Sequence, residues 1–72
     1  MDKQELLKKF GKNVKIERIK KNLTQEQFAE ILGFSSNYIA YIENGRQNMS
    51  LAKVLELAVA LDVNINKLLH IE

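Results

Sequence analysis

Ser36, Asn37 and Tyr41 fall within six residues of one another, and offsets of one and four put them on one side of a helix. They offer short, uncharged hydrogen-bonding groups: a hydroxyl that donates or accepts, a carboxamide that does both at once, and a phenol. A helix kept soluble in the ordinary way would carry Glu and Lys there. Nothing nearby turns hydrogen bonding into covalent chemistry. The one histidine, His70, stands two residues from the end of a 72-residue chain without cysteine, so it has no triad partner and no second metal ligand. Gly11, Gly33 and Gly45 are isolated from one another, which rules out a glycine-rich phosphate loop. Glu26 and Glu30, four apart on one helix face, read as a wet surface and not as an acid–base dyad. The residues indicate no enzyme, no cofactor, no metal and no small-molecule ligand. What they offer is a recognition surface.

Charge narrows the partner. The formal net charge is only +2, but residues 1–21 hold eight Lys and Arg against three carboxylates, while residues 22–72 hold three against six. A basic segment on a small domain is an electrostatic footprint for nucleic acid, and the same charges also make a solvated lysine-rich helix face. The longest unbroken apolar run, Leu57-Ala-Val-Ala-Leu61, is far short of a membrane span, and the charged N-terminus lacks the apolar core of a signal peptide. Together with the absence of cysteine, these features predict a soluble cytoplasmic chain with no membrane partner.

The elements that must position the three polar residues follow from apolar spacing. Leu6, Leu7, Phe10 and Val14, continued by Ile16, Ile19 and Leu23, predict a first helix over residues 4–22, with Gly11 as an awkward interior residue marking a fray point or a close backbone contact. Thr24, with Gln27 three residues on, forms a capping box for a second helix that buries Phe28, Ala29 and Leu32 and stops at Gly33. Ser35 caps a third with Tyr38, Ile39 and Ile42 inside, ended by Asn44-Gly45. Ser50 caps a fourth to about Leu61, whose core stripe is Leu51, Val54, Leu55, Ala58 and Leu61, and Asn64 caps a short fifth with Ile65, Leu68 and Leu69. No strand pattern occurs. The reading is one all-α domain of five helices over residues 1–72.

Two helices joined by Gly33-Phe34-Ser35 must cross steeply, and such a crossing has local requirements. Counting Gln25 as the first position, Phe28, Ala29, Leu32, Gly33, Phe34, Ile39 and Ile42 supply a suitable residue at the fourth, fifth, eighth, ninth, tenth, fifteenth and eighteenth. The window about 24–45 therefore reads as a helix-turn-helix. From about Phe10 to Leu69 the chain resembles the lambda-repressor-like, Cro-type helix-turn-helix DNA-binding family. The residues carrying the resemblance are Leu23-Thr24-Gln25, Phe28-Ala29, Gly33-Phe34, Tyr38-Ile39, Ile42-Glu43-Asn44-Gly45, Ser50-Leu51, Ala58-x-x-Leu61-Asp62-Val63 and Leu68-Leu69.

The resemblance implies that the third helix enters the major groove of double-stranded DNA. Ser36, Asn37 and Tyr41 are then base-reading residues, with Asn37 able to bond bidentately to adenine and Tyr41 able to meet a thymine methyl. Phosphate contacts fall to Gln25, Tyr38, Asn44, Arg46, Gln47 and Asn48, with core packing an equal reading for Tyr38. The family pattern also pairs Arg18 with Glu43 as a buried ion pair. The third helix carries no Arg or Lys, so A·T-weighted or shape-based reading is expected, and the lysines of the first helix would steer association from a distance.

The fourth helix has more apolar residues than one stripe uses, so residues about 51–72 read either as a dimerisation region or as a wide stripe in a small core. Leu57, Val59, Ala60, Ile65 and Ile71 are the interface candidates. The function implied is a transcriptional regulator binding a palindromic operator as a homodimer. The run Tyr38-Ile-x-x-Ile-Glu-x-Gly followed by Arg46-x-Asn-x-Ser-Leu51 is similar to restriction–modification controller proteins, which often carry Arg where this chain has Asn37. A phage repressor, or an antitoxin-type helical module whose main partner is another protein, is the alternative.

Overall fold

Four helices open on the same device, a short polar side chain accepting a backbone N–H three residues on. Asp2 accepts from Glu5 at 2.9 Å, Thr24 from Gln27 at 3.0 Å, Ser35 from Tyr38 and Ser50 from Lys53 at 3.1 Å. Gln27 returns a bond to the Thr24 N–H, completing the capping box. The structure, a computed structural model, describes residues 1–71; Glu72, counted in the charge tally above, lies outside them. Five helices run in order: α1 Lys3–Lys20, α2 Gln25–Leu32, α3 Ser36–Glu43, α4 Leu51–Leu61 and α5 Asn66–Leu69. No strand occurs among the described residues.

The same four helices end alike. Asn22, Gly33, Gly45 and Asp62 take left-handed φ values of 55–75°, and the next N–H reaches back five residues. Leu23 bonds to the Arg18 carbonyl, Phe34 to Ala29, Arg46 to Tyr41 and Val63 to Ala58, at 2.8–3.2 Å. This is the Schellman closure, which usually tucks an apolar residue in behind the helix end. Leu23, Phe34 and Val63 do so. Arg46 stays exposed, so a cation stands just beyond α3. Asn22 also explains why α1 stops at Lys20, two residues before the expected boundary.

All five helices contribute to one core: Phe10 and Val14 of α1, Phe28 and Ala29 of α2, Ile39 and Ile42 of α3, Val54, Leu57, Ala58 and Leu61 of α4, and Leu68 of α5. Each large side chain buried this way contributes about 1.5–3 kcal/mol before entropy is counted. Several assignments differ from the sequence reading. Leu6, Ile16 and Ile19 lie exposed, because α1 meets its neighbours with a narrower arc than its apolar content suggested. In α4, Leu51 and Leu55 face solvent while Leu57, expected at a subunit interface, is fully buried inside the single chain. Nine of the eleven α4 residues are apolar, so spacing alone left the phase of the stripe open. Packing selects 54, 57, 58 and 61. The cap position of α5 is taken by Ile65 and not by Asn64, whose side chain accepts from the Asn66 N–H at 2.8 Å just before the helix, and Leu69 points outward.

Candidate nucleic-acid interface

The placement of α3 begins at Gly33. Its φ of +75° reverses the chain after α2, with open space where a side chain would stand, so conformation and not crowding calls for glycine. Three residues later α3 starts. Ile39 and Ile42 anchor one side in the core, while Ser36, Asn37 and Tyr41 lie exposed on the other, with Ala40 half-buried between them. Together with Arg18, Thr24, Gln25 and Glu26, the residues Ser36, Asn37 and Ala40 line a shallow open cleft between the first turns of α2 and α3.

The other end of α3 is held tightly. Gly11 of α1 faces the last carbonyls of α3: a methyl there would collide with the Ile42 oxygen and stand 2.6 Å from that of Glu43. The awkward glycine in the helix interior is thus a backbone contact. Two turns of α1 further on, Arg18 meets Glu43 twice, through Nε to Oε2 at 2.6 Å and Nη2 to Oε1 at 3.1 Å. Its Nη1 donates to the Leu23 carbonyl at 2.6 Å, and the Gln25 amide donates to Glu43 Oε1 at 3.1 Å. The two charged side chains are 9% and 2% exposed. No buried side-chain polar atom among the described residues lacks a partner. In so buried a site the pair is tolerable because all three guanidinium nitrogens donate and both carboxylate oxygens accept.

The remaining expected site residues divide. Asn44, Arg46 and Asn48 are exposed in the segment after α3, and Gln47 is half-buried with its amide 3.5 Å from the Asn48 carbonyl. Gln25 is half-buried, with one amide hydrogen committed to Glu43 and the second left to point elsewhere. Tyr38 is half-buried: its ring packs edge-to-face on Phe34 at 4.9 Å, and its hydroxyl lies 4.0 Å from Met49 Sδ. It is a residue of the core edge. Of the interface candidates, Val59 is 70% exposed, whereas Ala60, Ile65 and Ile71 are half-buried against the core.

Sequence reasoning missed two contacts. Gln25 bridges the start of α2 to the end of α3, and the Lys53 ammonium sits 4.4 Å above the Phe34 ring, tying α4 to the turn. Neither has a local signature, since both join residues far apart in the chain. Among the described residues no group of acidic, His or Cys side chains could hold a metal, and no helix is long and apolar enough to cross a membrane.

Comparison with known proteins agrees with this geometry. A helix-turn-helix family model matches residues 14–68. Control protein C.SmaI of Serratia marcescens is 41% identical over 69 residues, covering 96% of this chain and 79% of the relative. The ImmF control region 10 kDa protein of Bacillus phage phi105 is 37% identical over 61 residues, covering 85% and 68%. The crystal structure of the restriction-modification controller protein C.AhdI from Aeromonas hydrophila matches with a TM-score of 0.87 at 37% identity, covering 94% of this chain and 99% of that one.

Proposed function

The chain belongs to the helix-turn-helix family of DNA-binding transcriptional regulators, and from that membership we propose that it is a restriction–modification controller acting as a homodimer on a palindromic operator. Likeness to controller proteins in both sequence and structure, over nearly the whole chain, supports the assignment. The observation that carries the mechanism is the exposure of Ser36, Asn37 and Tyr41 on a helix whose opposite face is buried and whose far end is clamped.

In this reading α3 lies in the major groove with its first turn toward the base edges. Asn37 donates to and accepts from one adenine, Ser36 adapts to several bases, and Tyr41 brings its ring to a thymine methyl. Half-buried Ala40 lets the helix sit deep. The free N–H groups opening α2, the second amide hydrogen of Gln25, and Asn44, Arg46, Gln47 and Asn48 meet phosphates on either side. A second copy covers the exposed stripe Leu51, Leu55 and Val59, spaced by four along α4, with Ile31 of α2 beside it. Two such copies set half-sites about 34 Å apart.

The exposed stripe also fits a module whose main partner is another protein. Selection of binding sites from random duplexes at two salt concentrations separates the two. Enrichment of an inverted repeat supports the operator reading. Self-association or partner binding without any enriched sequence supports the other.

A further inference from the structure

Beside the recognition helix lies a row of cations that the fold itself does not use. We infer that the flank of α1 bearing Lys8, Lys12 and Lys15 is a second DNA-binding surface, taking backbone phosphates outside the stretch read by α3; this rests on the DNA-binding reading above.

Placement comes first. Gly11 touches the last carbonyls of α3, and a side chain at Gly45 would stand 2.8 Å from the Lys8 Cα. The stretch of α1 from residue 8 to residue 11 therefore packs on the final turn of α3 and on the segment that leads to Arg46. Lys8, Gly11, Lys15 and Arg18 follow one another at spacings of three, four and three, which puts them on a single helix face. Gly11 and Arg18 point into α3, whereas Lys8 and Lys15 are exposed at the rim of the same face, with exposed Lys12 four residues from Lys8. The opposite flank is occupied: the Asn13 side chain donates to the carbonyls of Leu68 at 3.0 Å and His70 at 2.9 Å. Lys12 shares a cleft with Asn13 and His70 on that side, whereas Lys8 borders Gly45, between Asn44 and Arg46.

Charge comes second. Among the described residues none of these three lysines has an ion-pair partner, while Lys20 lies 3.3 Å from Glu17 and Lys53 4.0 Å from Glu56. Like charges three and four apart on a helix repel. No ion pair among the described residues offsets that repulsion. A polyanion laid along α3 and Arg46 would, and each phosphate so neutralised releases counterions.

The test compares Lys8→Gln/Lys15→Gln with Lys67→Gln, the same kind of change placed on α5, using a duplex obtained by selection. Each phosphate contact contributes about 0.9 to the slope of log K against log salt. The double variant is expected to lose nearly two from that slope and to dissociate faster. Its preference for the selected duplex over a scrambled one should hold, because phosphate contacts carry no sequence information. Lys67→Gln should leave the slope in place. A melting temperature at or above that of the parent verifies the fold. Slower association alone, with dissociation and slope unchanged, would reduce the lysines to distant steering and overturn the inference. If the parent binds no duplex at all, the function falls with it; if the parent binds and the double variant keeps the parental slope, only this surface falls.

Discussion

Replacing Glu43 by alanine removes the hub of the network that fixes the end of α3. Arg18 Nε and Nη2 lose their partners at 2.6 and 3.1 Å, and the Gln25 amide loses its acceptor at 3.1 Å. Only the bond from Nη1 to the Leu23 carbonyl remains for a guanidinium whose side chain is 9% exposed. An uncompensated buried charge costs about 3–5 kcal/mol. At about 4–8 °C per kcal/mol for a domain of this size, the melting temperature should fall by roughly 12–40 °C. Circular dichroism melting at fixed protein concentration reads this directly. The fixed concentration matters because dimerisation would itself shift the midpoint. The double variant Arg18→Met/Glu43→Leu removes both charges and fills the space with apolar atoms, so it should recover most of the loss. A Glu43→Ala melting point within a few degrees of the parent, or a double variant no better than the single, would refute the account of a desolvated, mutually dependent pair.

Four further outcomes follow from the same geometry. Arg46→Ala should weaken binding to all duplexes alike and lower the salt slope by about one, as titrations at several salt concentrations would read. Asn37→Ala should relax the base preference at one position per half-site by about 1–3 kcal/mol while leaving the salt slope alone, checked by repeating the selection. Gly11→Ala gains about 1 kcal/mol of helix propensity but forces a methyl into the backbone carbonyls of α3; overpacking of about 1–3 kcal/mol should win and lower the melting temperature. Leu55→Glu with Val59→Glu should leave a folded monomer in sedimentation, since both residues are exposed in the single chain.

Much of this fold is legible because its helix ends are written in local chemistry. Thr24, Ser35 and Ser50 mark starts and Gly33 and Gly45 mark stops, each through a bond spanning no more than five residues. The exposed side of α3 follows from the same periodicity, since Ile39 and Ile42 leave only one face for Ser36, Asn37 and Tyr41. Where many residues are apolar the periodicity has little to say. In α4 two phases of the stripe were open, and the burial of Leu57 in place of Leu51 and Leu55 depends on the surfaces of other helices. The half-burial of Tyr38 has a related cause: its ring packs on Phe34 of the preceding turn and its hydroxyl on Met49, eleven residues on. Asp2 and Asn22 set the ends of α1, and both are short polar residues of the kinds that cap and close helices.

The ties on α3 are unevenly distributed. Gly11, the Arg18–Glu43–Gln25 network and the Schellman closure through Arg46 all act on its last turn, while its first turn is held by the Ser35 cap, the connection to α2 and the packing of Tyr38 and Ile39 on its inner side. Base edges are read by residues near the N-terminus of a recognition helix, so that end must stay uncovered, and a helix with one face in the core has few other places to be fixed. Holding the far end removes the rotational freedom that would otherwise blur the positions of Ser36 and Asn37. Burial of an ion pair at that end adds little net stability compared with an apolar contact, but its fork-shaped geometry admits one orientation of Glu43. Gln25 then carries the same constraint into the first residue of α2, where the backbone N–H groups face the proposed phosphate. The two halves of the proposed interface, the first turn of α3 for bases and the start of α2 for the backbone, are thereby set in register by a single carboxylate.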